Sequence, residues 1–288
     1  MSDNKNKYQE SLASCRKSIN EIDEKILNLL KSRIKIIDEV SKIKTENNEK
    51  FFIKSAREAD MIKSLLKKNN NEFCPISIIS IWRKIITASN MLEQPISIAL
   101  HNPKKISDYK YILKEYYSEL VKINEYNSIA NVVNDIEKNI CQIAIFILDE
   151  DEPKEDIYEN WWISLANNKS GIKLFAKIPL YQNNSCNYSL YAFAVKDSEE
   201  SQSDKTILYV EVKPSYSKNQ IIADLKNAKI NARILKNIKI KQFNDIAFYL
   251  IEVDGFFLEE DIAIKIFKDS AHKPFVKILG SYAKPIEI

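Results

Sequence analysis

The sequence predicts three units in series: an all-helical segment over residues 1–95, an α/β region over 96–200, and a βαββαβ, ferredoxin-like unit over 201–288. Three observations carry this. Apolar residues recur at helical spacing as far as Pro95, and beyond it short β-branched and aromatic runs alternate with amphipathic stretches. An acidic, serine-rich stretch from Asp197 to Asp204 then separates the final group of elements from the rest. A chain of 288 residues has the length for two or three domains, each with its own core.

Composition removes several functional classes. The three glycines, Gly171, Gly255 and Gly280, stand far apart, so neither a phosphate loop nor a dinucleotide fingerprint can be written. Two histidines, His101 and His272, and four cysteines, Cys15, Cys74, Cys141 and Cys186, have no metal-site spacing. No metal and no cofactor are expected. The N-terminus is polar and no apolar run approaches a membrane span, so the reading is a soluble, reduced, cytoplasmic protein with no membrane partner. Net charge is +3, and residues 1–95 carry 18 Lys and Arg against 13 Asp and Glu, too little excess for a nucleic-acid binder. Arginine is more telling. Only five stand beside 38 lysines, and Arg16, Arg33, Arg57 and Arg83 all fall in the first 83 residues. Such a cluster suits carboxylates or phosphates, which the planar guanidinium grips in bidentate fashion.

In the first unit, Cys15, Ile19, Ile22, Ile26, Leu29, Arg33, Ile36, Val40 and Ile43 alternate in steps of four and three. This heptad seam predicts one helix of roughly 34 residues, from Ser11 to Lys44, about 50 Å long. It must pack on other helices, and Arg33 within it must meet an anion, either a ligand or a carboxylate of a neighbouring helix. Ser55 and Glu58 read as a capping box opening a second helix to Lys68, with Arg57 in its first turn. After Pro75 a third helix runs until Pro95 stops it, with Ser89 and Glu93 one turn apart on the stripe of Trp82 and Ile86. Arg33 and Lys44, eleven residues apart, share one face of the first helix at a separation of about 16 Å. Arg16 lies about 25 Å before Arg33. It can serve the same small ligand only from a second, antiparallel copy of the chain.

These residues resemble a known family. Cys15-Arg16-Lys17-Ser18-Ile19, Leu29-Leu30-Lys31-Ser32-Arg33, Ile43-Lys44, Ala56-Arg57-Glu58 and Ile81-Trp82-Arg83-Lys84-Ile85-Ile86-Thr87-Ala88-Ser89 are similar to motifs of the all-helical chorismate mutases. The form matched is the N-terminal domain of bifunctional chorismate mutase/prephenate dehydratase proteins, over about Leu12 to Gln94. The resemblance implies an intertwined homodimer of three-helix subunits, chorismate as substrate, and a Claisen rearrangement to prephenate without a cofactor. It implies a site of Arg33, Lys44, Arg57, Glu58, Ser89 and Glu93 from one chain with Arg16 from the partner. The arginines would clamp the two carboxylates with Ser89 donating to one, Lys44 would donate to the breaking ether oxygen, and Glu58 would accept from the ring hydroxyl. Such groups select a compact conformer and stabilise developing charge, which is all this reaction asks of a protein.

Two positions depart from the family pattern. Glu93 stands where glutamine is commonest, and as an anion it would repel the developing oxyanion, so activity is expected to rise toward acid pH. Lys54 replaces the usual aspartate three residues before Arg57, which weakens the case for hydroxyl recognition.

Beyond Pro95, strands are expected at Ile96–Leu100, Ile140–Leu148, Leu174–Ile178 and Ser189–Val195, with helices at Asp108–Glu119 and Ile129–Lys138. The position of this region suggests a degenerate prephenate dehydratase, but its Thr-Arg-Phe element is missing and dehydratase activity is not predicted. Trp161 and Trp162 read as core at a helix start. The last unit is expected as strands Thr206–Val212, Arg233–Ile240, Ile246–Asp254 and Phe275–Leu279, with helices Ser217–Lys229 and Glu259–Ser270. It resembles an ACT regulatory domain, closing on Leu279-Gly280-Ser281-Tyr282, and implies an aromatic amino acid effector. The family's ligand-binding turns are unrecognisable at Ser215–Lys218 and Asn237–Ile240, so altered sensing or a structural role stands beside ligand binding. Two other functions remain open: lyase chemistry on isochorismate, and a non-catalytic regulatory protein whose helices only dimerise.

Overall fold

A computed structural model describes residues 2–49, 51–149, 160–182, 188–239 and 246–288; Cys186 and Ile240 lie outside them. The chain begins with three helices, α1 (Ser2–Glu46), α2 (Ser55–Asn69) and α3 (Pro75–Glu93). There follow β1 (Ser97–His101), α4 (Ser107–Tyr116), β2 (Lys122–Tyr126), α5 (Ile129–Glu137), β3 (Ile143–Asp149), α6 (Trp161–Ala166), β4 (Ile172–Ile178) and β5 (Tyr188–Val195). The last unit is β6 (Asp204–Val212), α7 (Lys218–Asn227), β7 (Ala232–Lys239), β8 (Ala247–Asp254), α8 (Ile262–Lys268) and β9 (Phe275–Ala283). The predicted βαββαβ order is present.

The nine strands form one sheet in the order β2-β1-β3-β5-β4-β9-β6-β8-β7. β2, β1 and β3 are parallel, β5 runs antiparallel to β3 and β4, and β9, β6, β8 and β7 are mutually antiparallel where they pair. The two halves meet where Leu174 of β4 pairs with Gly280 of β9. Gly280 has φ +135°, and a Cβ there would stand 2.6 Å from the Leu174 nitrogen, so only glycine admits this approach. The expected end of the last strand at Leu279 is therefore corrected. β9 continues to Ala283 through a register shift, pairing with β6 along its length and with β4 at Gly280.

Apolar faces explain the layers. α2, α3 and α4 bury Ile62, Ile79, Ile86 and Leu113 against Ile98, Ile145, Phe175 and Ile178 on one face of the sheet. α5 and α6 cover the other, where Trp161 and Trp162 are core residues packed with Phe146, Tyr191 and Tyr209. The Trp161 indole N–H donates to the Ile147 carbonyl at 2.9 Å, satisfying its polar edge inside the core. A third core, built on Leu208, Ile221, Ile251 and Phe267, lies under α7 and α8. No described helix is long and apolar enough to cross a membrane.

Candidate functional site

α1 is longer than its apolar pattern implies, 45 residues or about 68 Å, because residues 2–10 contain no glycine or proline to stop it. Apart from Arg33 and Val40, its predicted seam is not covered by the described residues of this chain. Ile19, Ile26, Leu29, Ile36 and Ile43 are 50–70% exposed. The face that packs against α3 is rotated from that seam and runs through the half-buried Leu30, Arg33, Ile37, Val40, Ser41 and Lys44. Arg33 and Lys44 belong to this face, as their spacing predicts.

α3 meets that face with Ser89 and Glu93. The Arg33 guanidinium donates to Ser89 Oγ, which in turn donates to the Ile85 carbonyl at 2.9 Å. Arg33 thus meets a hydroxyl here, neither of the two anions considered for it. One turn on, the Lys44 ammonium is ion-paired with Glu93 Oε2, and the side chains are only 12% and 3% exposed. Lys44 also donates to the Phe52 carbonyl at 2.9 Å and lies 5.2 Å over the Phe52 ring. Four of the seven predicted residues therefore form two pairs, cations from α1 and acceptors from α3.

The other three stand apart from those pairs. Arg57 is exposed in the first turn of α2. Glu58, beside it, is buried, and its two oxygens accept from Arg83 Nη1 at 2.7 Å and Asn90 Nδ2 at 2.8 Å. Arg16 is exposed on α1, 17 residues before Arg33, and within one chain the helix holds the two roughly 25 Å apart.

The capping box is a correction. Lys54, not Ser55, is the N-cap of α2, with no side-chain cap, and the Ser55 hydroxyl donates instead to the Phe175 carbonyl of β4 at 2.8 Å. Docking of the helix start on the sheet outcompetes a local cap, and Glu58 is drawn to Arg83 instead. Lys54 pairs with Glu49 at 2.9 Å and Glu199 at 3.4 Å.

Arg83 and Asn90 were absent from the expected site. They are seven residues apart on α3, two turns, hence on one face, a spacing visible in the sequence once Glu58 is placed opposite. The Arg83 guanidinium sits 3.9 Å over the Tyr116 ring and donates to the Tyr116 carbonyl at 3.4 Å. Burial alone would lower its pKa, but its neighbours Tyr116 and Glu58 reverse this and hold it above its usual value. Phe52 was also missed, since a backbone acceptor leaves no residue-type signal.

The Arg33 and Lys44 contacts bring together two cations of α1 and two hydrogen-bonding partners of α3.

Among known proteins, the chain is 26% identical over 117 residues to a bifunctional chorismate mutase/prephenate dehydratase of Pseudomonas aeruginosa, covering 39% of this chain and 32% of that one. To the bifunctional chorismate mutase/prephenate dehydratase of Aquifex aeolicus it is 32% identical over 99 residues, covering 33% of this chain and 27% of that one. The chain thus spans less than a third of the length of these relatives. A solved prephenate dehydratase from Streptococcus mutans aligns with TM-score 0.47 and 15% identity over 66% of this chain and 100% of that one. The resemblance carried by the motifs is borne out over the helical unit: residues 15–94 match the family model described as chorismate mutase type II.

Proposed function

We propose that the protein is a chorismate mutase that rearranges chorismate to prephenate at sites shared between two copies of the chain. The observation that carries this is the pair of contacts Arg33–Ser89 and Lys44–Glu93, both between α1 and α3 within the stretch that matches the mutase family. The rearrangement needs no nucleophile and no proton transfer. It needs the diacid held in its compact conformer and negative charge stabilised on the ether oxygen. Arg33, Arg57 and the partner's Arg16 bind the carboxylates, with Ser89 donating to one. Lys44 donates to the ether oxygen, beside a Glu93 that assists once protonated. Glu58 retains lone pairs beyond the two bonds it accepts, enough to take the ring hydroxyl.

The homodimer is supported by the bare apolar stripe on α1, from Ile19 to Leu29. An isolated helix of this length is not kept by its own propensity, and a second α1 lying antiparallel would cover the stripe and bring Arg16 to Arg33. Residues 96–200 are read as a degenerate dehydratase-like region and 201–288 as an ACT-like unit with an aromatic amino acid effector, in a cytoplasmic enzyme. The strand order β9-β6-β8-β7 supports the ferredoxin-like reading of that unit.

Incubating the purified protein with chorismate and with isochorismate, and identifying the products, tests the proposal. Prephenate from chorismate is expected. Pyruvate release from isochorismate alone would replace the reading with a lyase, and no conversion of either would reject it.

A further inference from the structure

Segment 51–55 joins α1 to α2 and holds the Lys44 ammonium through the Phe52 carbonyl. From the helices it is tied by Gln94 Oε1, which accepts from the Phe52 amide at 3.4 Å. Further ties run to the sheet. Phe51 meets Phe175 of β4 edge to face at 5.3 Å, and the Ser55 hydroxyl bonds the Phe175 carbonyl. Between them lies Lys196, the residue after β5, its side chain only 6% exposed. Its ammonium donates to the Ile53 carbonyl at 3.3 Å, lies 5.4 Å from the centres of both the Phe51 and Phe175 rings, and pairs with Glu199 at 3.2 Å. Glu199 reaches back to Lys54.

A buried lysine is costly, and burial pushes the pKa of this one down against the pull of Glu199. An apolar residue would serve the sheet as well. Yet the contacts of Lys196 converge on the segment beside the mutase helices, and that segment carries the acceptor for Lys44.

We propose that Lys196 is a positioning residue for the mutase site. From the sheet it clamps residues 51–54, and the clamped Phe52 carbonyl fixes the Lys44 ammonium where the ether oxygen develops charge. The α/β region thereby contributes to the rearrangement without touching the substrate. The inference rests on the mutase reading for its kinetic consequence, and on geometry alone for the clamp.

The test is Lys196→Met in the full chain, compared with wild type and Lys196→Arg. Lys44 acts on charge that develops only in the transition state, so kcat is expected to fall about tenfold with KM changed less than twofold. Lys196→Arg, which keeps the cation and donors, restores most of it. Amide hydrogen exchange at residues 51–54 accelerates in Lys196→Met while α3 exchange is unchanged. If Lys196→Met fails to fold, Lys196→Gln takes its place with the same expected pattern. Unchanged kcat in Lys196→Met, where the wild type converts chorismate, overturns the proposal, as does an effect on KM alone. If the wild type converts nothing, the mutase reading fails separately, and unchanged exchange at 51–54 still overturns the clamp.

Discussion

The two halves of α1 have the same periodicity and opposite surroundings. From Leu30 to Lys44 a half-buried side chain faces α3 at every turn, and two of these are the cations that meet Ser89 and Glu93. From Ile19 to Leu29 the apolar residues are exposed. A repeating apolar stripe states that a face will be covered, but not by what. The packed half found its cover inside the chain, and the described residues leave the other half bare.

The largest expected effect lies under the packed half, where Arg83 ties α3 to Glu58 of α2. Arg83→Met strands a buried carboxylate and should lower stability by about 3–5 kcal/mol, read from the midpoint of denaturant unfolding. A shift below about 1 kcal/mol would mean that the floor of the site is held by apolar contacts alone.

The sharpest test sets the halves against each other. Arg33→Ala and Arg16→Ala should each cut kcat/KM by about 10²–10³-fold while leaving the circular dichroism spectrum intact. Mixing and refolding the two inactive variants should restore roughly a quarter of wild-type activity, because half the dimers are mixed and each holds one intact site of two. No recovery on mixing would separate the bare half from catalysis.

A smaller effect concerns the Lys44–Glu93 pair. Glu93→Gln breaks the ion pair and removes the charge facing the ether oxygen, so kcat should rise in that variant, and an unchanged kcat would remove the assigned role. The smallest effect is expected far from both halves, at Glu259. Burial pushes its carboxyl up, but the Lys268 ammonium and the Ile278 amide outweigh burial and hold it below its ordinary value of 4.5. Its contribution is then present above 4.5 and lost as pH falls through the lowered value. Glu259→Gln should cost under about 1 kcal/mol at pH 7, given solvent screening, and nothing once both states are protonated.

Much of this was legible in the residues, for identifiable reasons. Helices with a clear apolar stripe, such as α3 after Pro75, were found nearly to the residue. The βαββαβ order was readable because its strands are β-branched runs separated by polar helices. β2 was missed, since Lys122-Ile123-Asn124-Glu125-Tyr126 is a short, polar edge strand with little burial to mark it. Helical spacing put Arg33 with Lys44 on one face and Ser89 with Glu93 on another, while joining the four into one set took the family resemblance. The partners of Glu58 and Ser55 were not, because Arg83 and Phe175 reach them through tertiary packing that no local pattern encodes.

The strand Phe275–Ala283 is the ninth in sequence yet sits in the middle of the sheet, between β4 and β6. During synthesis the two halves are therefore made as separate open-edged sheets, with β4 and β6 each lacking a neighbour until residues 275–283 leave the ribosome. A nascent chain stalled before that point would expose the edges of β4 and β6 in addition to those of β2 and β7, which the finished sheet keeps.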